Sequence, residues 1–337
     1  MKQRWKSFRS WLAIFALLWS SLAAAAPGNG GWRVLTAIPA LHSLTSTLCE
    51  GTRIAVSRLP AGKAVPMAAQ SNALTHHQGE LFRKADAVVT LRALWRADPL
   101  YPVARRHNLR IVEIDASRSW DPTKPGLAMV QTPGNDVPWG DPSGQEAGLS
   151  PYAWLSTDNG LRMAALIAAD LMRLSPDDAN RIAHNLAALE DRLRRLKAGY
   201  GVRMAAMQDP RVLSLANEFA YLLGEFGVFV EGWDARQDAD WSDNDRSALT
   251  GYLRERDIRL VVHKWRPDER IVQAIEHGGA QLLILDPGNP GLPGDEDGEY
   301  EALLRWNSDT LLKALETAAG DAARAAAKSS PHQSPFK

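Results

Sequence analysis

The sequence predicts an α/β protein, two Rossmann-like lobes joined by one long backbone helix. Three observations predict it. Short apolar, strand-like runs alternate with helical stretches through residues 32–174 and again through 211–320, the pattern of parallel βαβ units. Between the two sets, residues 175–207 carry one amphipathic helical period. That helix is longer than a single lobe requires, so it is expected to connect two.

In chain order, residues 1–25 come first and belong to neither lobe. Lys2, Arg4, Lys6 and Arg9 form a basic start without an acid. Trp11 to Leu22 is apolar, and Ala23 to Ala26 supplies small side chains. These are the three parts of an export signal. An uncleaved anchor is the alternative, but the apolar core is short against the ~20 residues needed to span a bilayer. Cys49 lies too far downstream to be a lipoprotein cysteine. The expected location is the periplasm. The full chain has 39 basic and 39 acidic residues; removing the four basic ones leaves 35 against 39, a net charge of −4. That sign argues against nucleic acid or an anionic membrane as partner. One cysteine excludes an intrachain disulfide, so the fold rests on its core.

The first lobe begins with the strand-like run 32–38, ended by Pro39, and a helix over Leu41–Glu50. A second strand, Thr52–Leu59, is closed by Pro60-Ala61-Gly62. After a helix-like segment at Gly79–Lys84 come strands Ala87–Leu91 and Leu109–Ile114. Residues 117–148 break the alternation with five prolines and no period, which predicts a disordered segment or surface flap. A helix over Asp158–Leu174 precedes Ser175-Pro176-Asp177-Asp178, where serine caps, proline suits the first helical position and the aspartates meet the helix dipole. Ile182, Leu186, Leu189, Leu193 and Leu196 then mark one face. Continued to Met207, this helix is roughly 46 Å long, and Gly199 or Gly201 are the places where it would kink or end. In the second lobe, strands are expected at 211–215, 228–231, 259–263 and 280–286. Helices are expected at 218–226, 247–256, 267–277 and 301–318, followed by a frayed tail over 321–337.

Several landmarks in this order resemble one family: Ile38-Pro39-Ala40-Leu41-His42-Ser43-Leu44, Leu59-Pro60-Ala61-Gly62, Ala85-Asp86-Ala87-Val88, Ser150-Pro151-Tyr152-Ala153-Trp154-Leu155 and Leu283-Ile284-Leu285-Asp286-Pro287. The chain is similar to the periplasmic solute-binding proteins of zinc- and manganese-type ABC importers, the TroA/ZnuA-like helical-backbone metal receptors, over residues 32–318. The resemblance implies two lobes held by the linking helix and a bound metal ion (zinc, manganese or iron) or metal complex in the cleft between them. It also implies delivery to an inner-membrane permease with its ATPase, and action as a monomer. Where the family places metal-binding histidines, this chain has Met67, Tyr152 and the neighbourhood of Ala216-Asn217-Glu218; the final carboxylate, Asp286, matches. The histidine-rich loop of many zinc-binding members corresponds to 117–148, which holds no histidine.

Met67, Tyr152, Glu218 and Asp286 are therefore the candidate metal or ligand residues. They make a poor zinc set, because zinc favours histidine nitrogen and cysteine sulfur. A phenolate with carboxylates suits ferric iron or manganese, whereas a thioether points to copper(I). His42, Asn217, Trp154, His263, Lys264 and Trp265 are the candidate cleft-lining residues. His263-Lys264-Trp265 ends a second-lobe strand, where α/β ligand crevices form. A lysine there repels a bare cation unless Glu218 or Asp286 pairs with it, and favours an anionic or neutral ligand or a chelated metal. The alternative is a solvated Lys264 and a structural His263. His76 and His77 are read as surface histidines, Cys49 as a small buried hydrophobe, and Asp295-Glu296-Asp297 as a solvated turn without calcium-loop spacing. No nucleophile elbow, phosphate-binding lysine loop or His-Glu-x-x-His occurs, so a catalytic role is not expected. Two functions remain open: a solute-binding component with an altered site, or a ligand-free paralogue acting through contacts with the transporter.

Overall fold

The computed structural model describes residues 31–61, 65–77, 79–121, 123–140, 148–290 and 299–329. The export signal, the Asp295–Asp297 turn and the side chains of His76 and His77 lie outside the described residues.

The first lobe is built from β1 (Arg33–Thr36), α1 (Pro39–Cys49), β2 (Ala55–Arg58), α2 (Met67–His77), α3 (Gly79–Lys84), β3 (Ala87–Thr90), α4 (Leu100–His107) and β4 (Val112–Asp115). Its sheet is parallel with order β2-β1-β3-β4. Two helices, α5 (Thr157–Leu174) and α6 (Ala179–Ala205), lead to the second lobe. There β5 (Arg211–Ser214), α7 (Ala220–Glu225), β6 (Phe229–Trp233), α8 (Asp243–Glu255), β7 (Leu260–His263), α9 (Glu269–His277) and β8 (Gln281–Ile284) follow, and α10 (Tyr300–Ser329) closes the described chain. The second sheet repeats the first as β6-β5-β7-β8, again parallel. The interior strands β3 and β7 are buried at every residue, as parallel strands covered on both faces must be.

Each sheet has its own apolar cluster on one face. Leu35, Leu74, Phe82, Val88 and Leu100 form one in the first lobe, and Leu213, Leu249, Val261 and Ile275 form the other in the second. The opposite faces share a single larger cluster. It runs from Val34, Leu41 and Leu48 through Ile182, Leu189, Leu193 and Leu196 to Val212, Phe219, Val262 and Leu311. The lobes are therefore joined by continuous core.

Helix α6 is the backbone of that join. Its buried stripe Ile182, Leu189, Leu193, Leu196, Tyr200 and Met204 keeps the 3–4-residue spacing of one helical face. Asn185 donates to the carbonyls of Leu48 and Glu50, closing the end of α1. Farther along, Arg192 pairs with Glu301 and the Tyr200 hydroxyl donates to Asp309 at 2.6 Å, fixing α10 alongside. Gly199 and Gly201 do not interrupt the helix. It is 27 residues, about 40 Å, shorter than expected because residues 176–178 form a separate 3₁₀ turn and the helix ends at Ala205. Ser175 does not cap: its hydroxyl donates to Asp178 Oδ2 at 2.6 Å. The final helix also departs from expectation, continuing nine residues past Gly320 to Ser329.

The largest correction concerns residues 117–148. Within it, residues 123–140 are neither disordered nor a loose flap but a strap that crosses from the first lobe to the second. Asn159 holds it at the first lobe by a reciprocal pair with the backbone of Ala128. Val130 N donates to the Tyr221 hydroxyl, and Gln131 bridges Leu149 antiparallel. Beyond that, the strap adds to the open edge of β6. Asp136 N donates to the Trp233 carbonyl at 3.0 Å, and Asp136 Oδ1 accepts from Trp233 N at 2.6 Å. Val137 enters the second-lobe cluster, and Trp139 Nε1 donates to Asp234 Oδ2 at 2.8 Å. Edge pairing satisfies the backbone of a strand that otherwise exposes it. No described helix is long and apolar enough to cross a membrane.

Candidate functional site

Three chain segments meet where the lobes meet: 150–156 before α5, the 3₁₀ turn Asn217–Phe219 after β5, and 285–289 after β8. Trp154 anchors them. Its indole is fully buried, and Nε1 donates to the Pro287 carbonyl at 2.9 Å. The Tyr300 hydroxyl of α10 donates to the Trp154 carbonyl at 2.7 Å, and Glu225 of the second lobe accepts from Thr157 N at 2.6 Å. Gly288 sits against the indole with φ +70; a Cβ there would lie 2.5 Å from Leu303 and 3.0 Å from Trp154 Nε1, so only glycine fits.

Asp286 ends the β8 segment and is 5 % exposed. Its Oδ1 accepts from Gly288 N at 2.7 Å, while the Asn307 amide brackets its backbone, accepting from Asp286 N and donating to its carbonyl at 2.8 Å each. The carboxylate is thus held by the chain at the head of the loop.

Glu218 lies in the 3₁₀ turn at the carboxyl end of β5 and is 5 % exposed. Its Oε1 is ion-paired with Lys264 Nζ. Its Oε2 is buried without a hydrogen-bond partner among the described residues. The Lys264 ammonium also lies 4.6 Å from the Trp265 ring centroid, a cation–π contact. The expected alternative of a solvated Lys264 does not hold; Glu218 holds it.

Tyr152, from the first lobe, faces this pair. Its ring lies 5.2 Å from that of Trp154. Burial, together with the negative charge of Glu218, pushes its hydroxyl well above the usual phenol range. With no cation bound, Tyr152 therefore presents a phenol hydroxyl to the cleft; a coordinated cation acts in the opposite direction.

His263 is buried and structural. Its Nδ1 accepts from the backbone N–H of Lys264 at 2.8 Å and of Trp265 at 3.2 Å. Burial pushes its pKa down to about 4, Asp238 opposing and Lys264 adding to the drop. The two donated hydrogen bonds occupy Nδ1, and the ring lies tilted with its centroid 5.0 Å from that of Trp265.

The remaining candidates are more dispersed. Met67 opens α2 and is half-buried against the shared core cluster. His42, on α1, sits with Nδ1 3.1 Å from Thr36 Oγ1. Asn217 is half-buried at the start of the 3₁₀ turn. Among the described residues, no three His, Cys, Asp or Glu side chains gather as a metal cage. Sequence reasoning passed over Asn289, which is 5 % exposed with neither amide atom hydrogen-bonded among the described residues; its place three residues after Asp286 was the available signal. A cavity of 620 Å³ lies elsewhere, lined by Arg92, Glu113, Asp115, Trp120 and Lys124 at the ends of β3 and β4. It touches none of the candidate residues.

Residues 34–314 match the family described as zinc-uptake complex component A, periplasmic (ZnuA). The chain belongs to this family. Among curated relatives, it is 26 % identical over 185 residues to the manganese-binding lipoprotein MntA of Bacillus subtilis, an alignment covering 52 % of this chain and 60 % of MntA. The chain thus spans about 60 % of the length of the relatives it matches first. A structure of an FpvC mutant from Pseudomonas aeruginosa superposes with a TM-score of 0.66 at 20 % identity, covering 85 % of this chain and 99 % of FpvC. FpvC has also been solved with Ni²⁺ and with Mn²⁺. The zinc-bound ZnuA-like domain of Streptococcus pneumoniae AdcA gives 0.65 at 17 % identity, covering 85 % of this chain and all of that domain. ZnuA-family membership accounts for the two lobes and their helical join.

Proposed function

We propose that this ZnuA-family chain is the solute-binding component of a metal-type ABC importer. It is exported by residues 1–25 and works in the periplasm as a monomer. It captures a metal ion or metal complex between the lobes and presents it to an inner-membrane permease driven by an ATPase. It performs no catalysis of its own. The observation that carries this reading is the family match over 34–314, in a chain whose lobes meet at the Tyr152, Trp154, Glu218 and Asp286 segments. The ligand contacts are assigned to Tyr152, Glu218 and Asp286, with Met67 closing from α2 and Asn217, Lys264 and Trp265 lining the cleft.

The test uses untagged protein without residues 1–25, stripped of metal and titrated calorimetrically with zinc, manganese and ferric ions and with ferric citrate. Stoichiometric binding to any of these, weakened by Asp286→Ala, supports the reading. The second reading is a ligand-free paralogue acting on the permease. The observation favouring it is that Glu218 is already neutralised by Lys264; it gains if no probe binds and the protein still associates with the permease.

A further inference from the structure

Resting on that reading, we infer that the cargo is a metal ion carried in an anionic, oxygen-rich chelate, and that Lys264 is the residue that selects it. The argument begins with the charge at the seam. Glu218 and Asp286 are the anionic candidates, and each already has a partner of the chain's own. Asp286 accepts from Gly288 N. Glu218 is buried and neutralised by Lys264. A bare divalent ion at Glu218 must either sit beside an ammonium or expel it from a site where carboxylate and indole hold it from two sides. Either way the protein's own cation competes with the ion for the same carboxylate.

The neutral groups point the same way. Tyr152 supplies a phenol and Met67 a thioether, while among the described residues neither amide atom of Asn289 nor Glu218 Oε2 has a hydrogen-bond partner. Such groups leave hydrogen-bonding capacity for a ligand that brings its own donors and acceptors. Trp265, 40 % exposed and tilted against the His263 ring, offers apolar surface next to the ammonium. An anionic chelate gains an ion pair with the partly exposed Lys264 ammonium and contact with the neighbouring indole. A bare cation meets that ammonium as a like charge.

The experiment uses the metal-stripped protein and three probes, manganese(II), zinc(II) and ferric citrate, with Lys264→Gln and Lys264→Arg. Circular dichroism first shows that both variants are folded. Ferric citrate is expected to bind the parent protein more tightly than either bare ion. Lys264→Gln is expected to weaken ferric citrate by roughly tenfold or more and to strengthen manganese, while Lys264→Arg retains ferric citrate. A parent protein that binds manganese or zinc as tightly as ferric citrate overturns the inference and leaves the importer reading standing. So does a folded Lys264→Gln that binds ferric citrate unchanged. Failure of all three probes overturns both.

Discussion

Trp154→Phe tests whether the lobes are fastened where the structure fastens them. The indole is fully buried and its Nε1 reaches the Pro287 carbonyl at 2.9 Å across the seam. Phenylalanine removes the donor and leaves that carbonyl buried, a loss of about 1–3 kcal/mol. The missing part of the indole leaves a void beside Gly288 and Leu303, adding about 1 kcal/mol more. The expected destabilisation is about 2–4 kcal/mol, read from urea unfolding followed by circular dichroism at pH 7. Trp306→Phe is the control: it lies on α10, 52 % exposed, and is expected to change stability by about 0.5 kcal/mol or less. If Trp154→Phe costs no more than the control, the seam is not held by this bond and the account of the lobe junction fails.

Three further outcomes are expected. Lys264→Met, which strands a buried carboxylate, should cost about 3 kcal/mol and more than Glu218→Gln, whose leftover ammonium is partly exposed; a coupling energy of zero in the double-mutant cycle would contradict the pairing. His263 has a depressed pKa of about 4, so the stability it supports is present above pH 6.5 and is lost as pH falls towards 4, about 3 kcal/mol in all. Asp98, raised to about 6 by burial, acts oppositely and gives up its contribution as pH rises through 6. Comparing the parent with His263→Gln in urea at pH 7 and pH 4.5 isolates the histidine, and a pH-independent difference would show that it is not buried neutral. Val137→Asp puts a charge into the second-lobe core and should release the strap, seen as new proteolytic cleavage between residues 123 and 140; an unchanged digestion pattern would mean the strap is held without Val137.

Much of the fold was legible because alternating apolar runs and helical faces are local properties. The α6 stripe from Ile182 to Leu196 could be read directly, as could the buried run Ala87–Thr90. What escaped depended on weak or context-bound signals. Helix α4 holds Pro102 within its first turn, where a missing N–H is tolerated, so its sequence reads as a break. Helix α2 is small and polar over much of its length and shows little apolar period. Helix α8 starts at Asp243, earlier than its leucines suggest, because Ser242 and Asp245 form a capping box. The strap was unreadable for a different reason: its order comes from pairing with the edge of β6, about 100 residues away in sequence. At the site, Lys264 and Glu218 were both named, and the condition that one might neutralise the other was visible. That they do, and that His263 Nδ1 accepts from two backbone N–H groups, follows only from tertiary geometry.

The most direct test is to locate metal in protein isolated untagged from the periplasm, by elemental analysis and anomalous X-ray scattering from its crystals. The importer account predicts one metal per chain at the seam, between Tyr152, Glu218 and Asp286. Metal-free protein, or metal found only in the distant Arg92–Lys124 cavity, would contradict it.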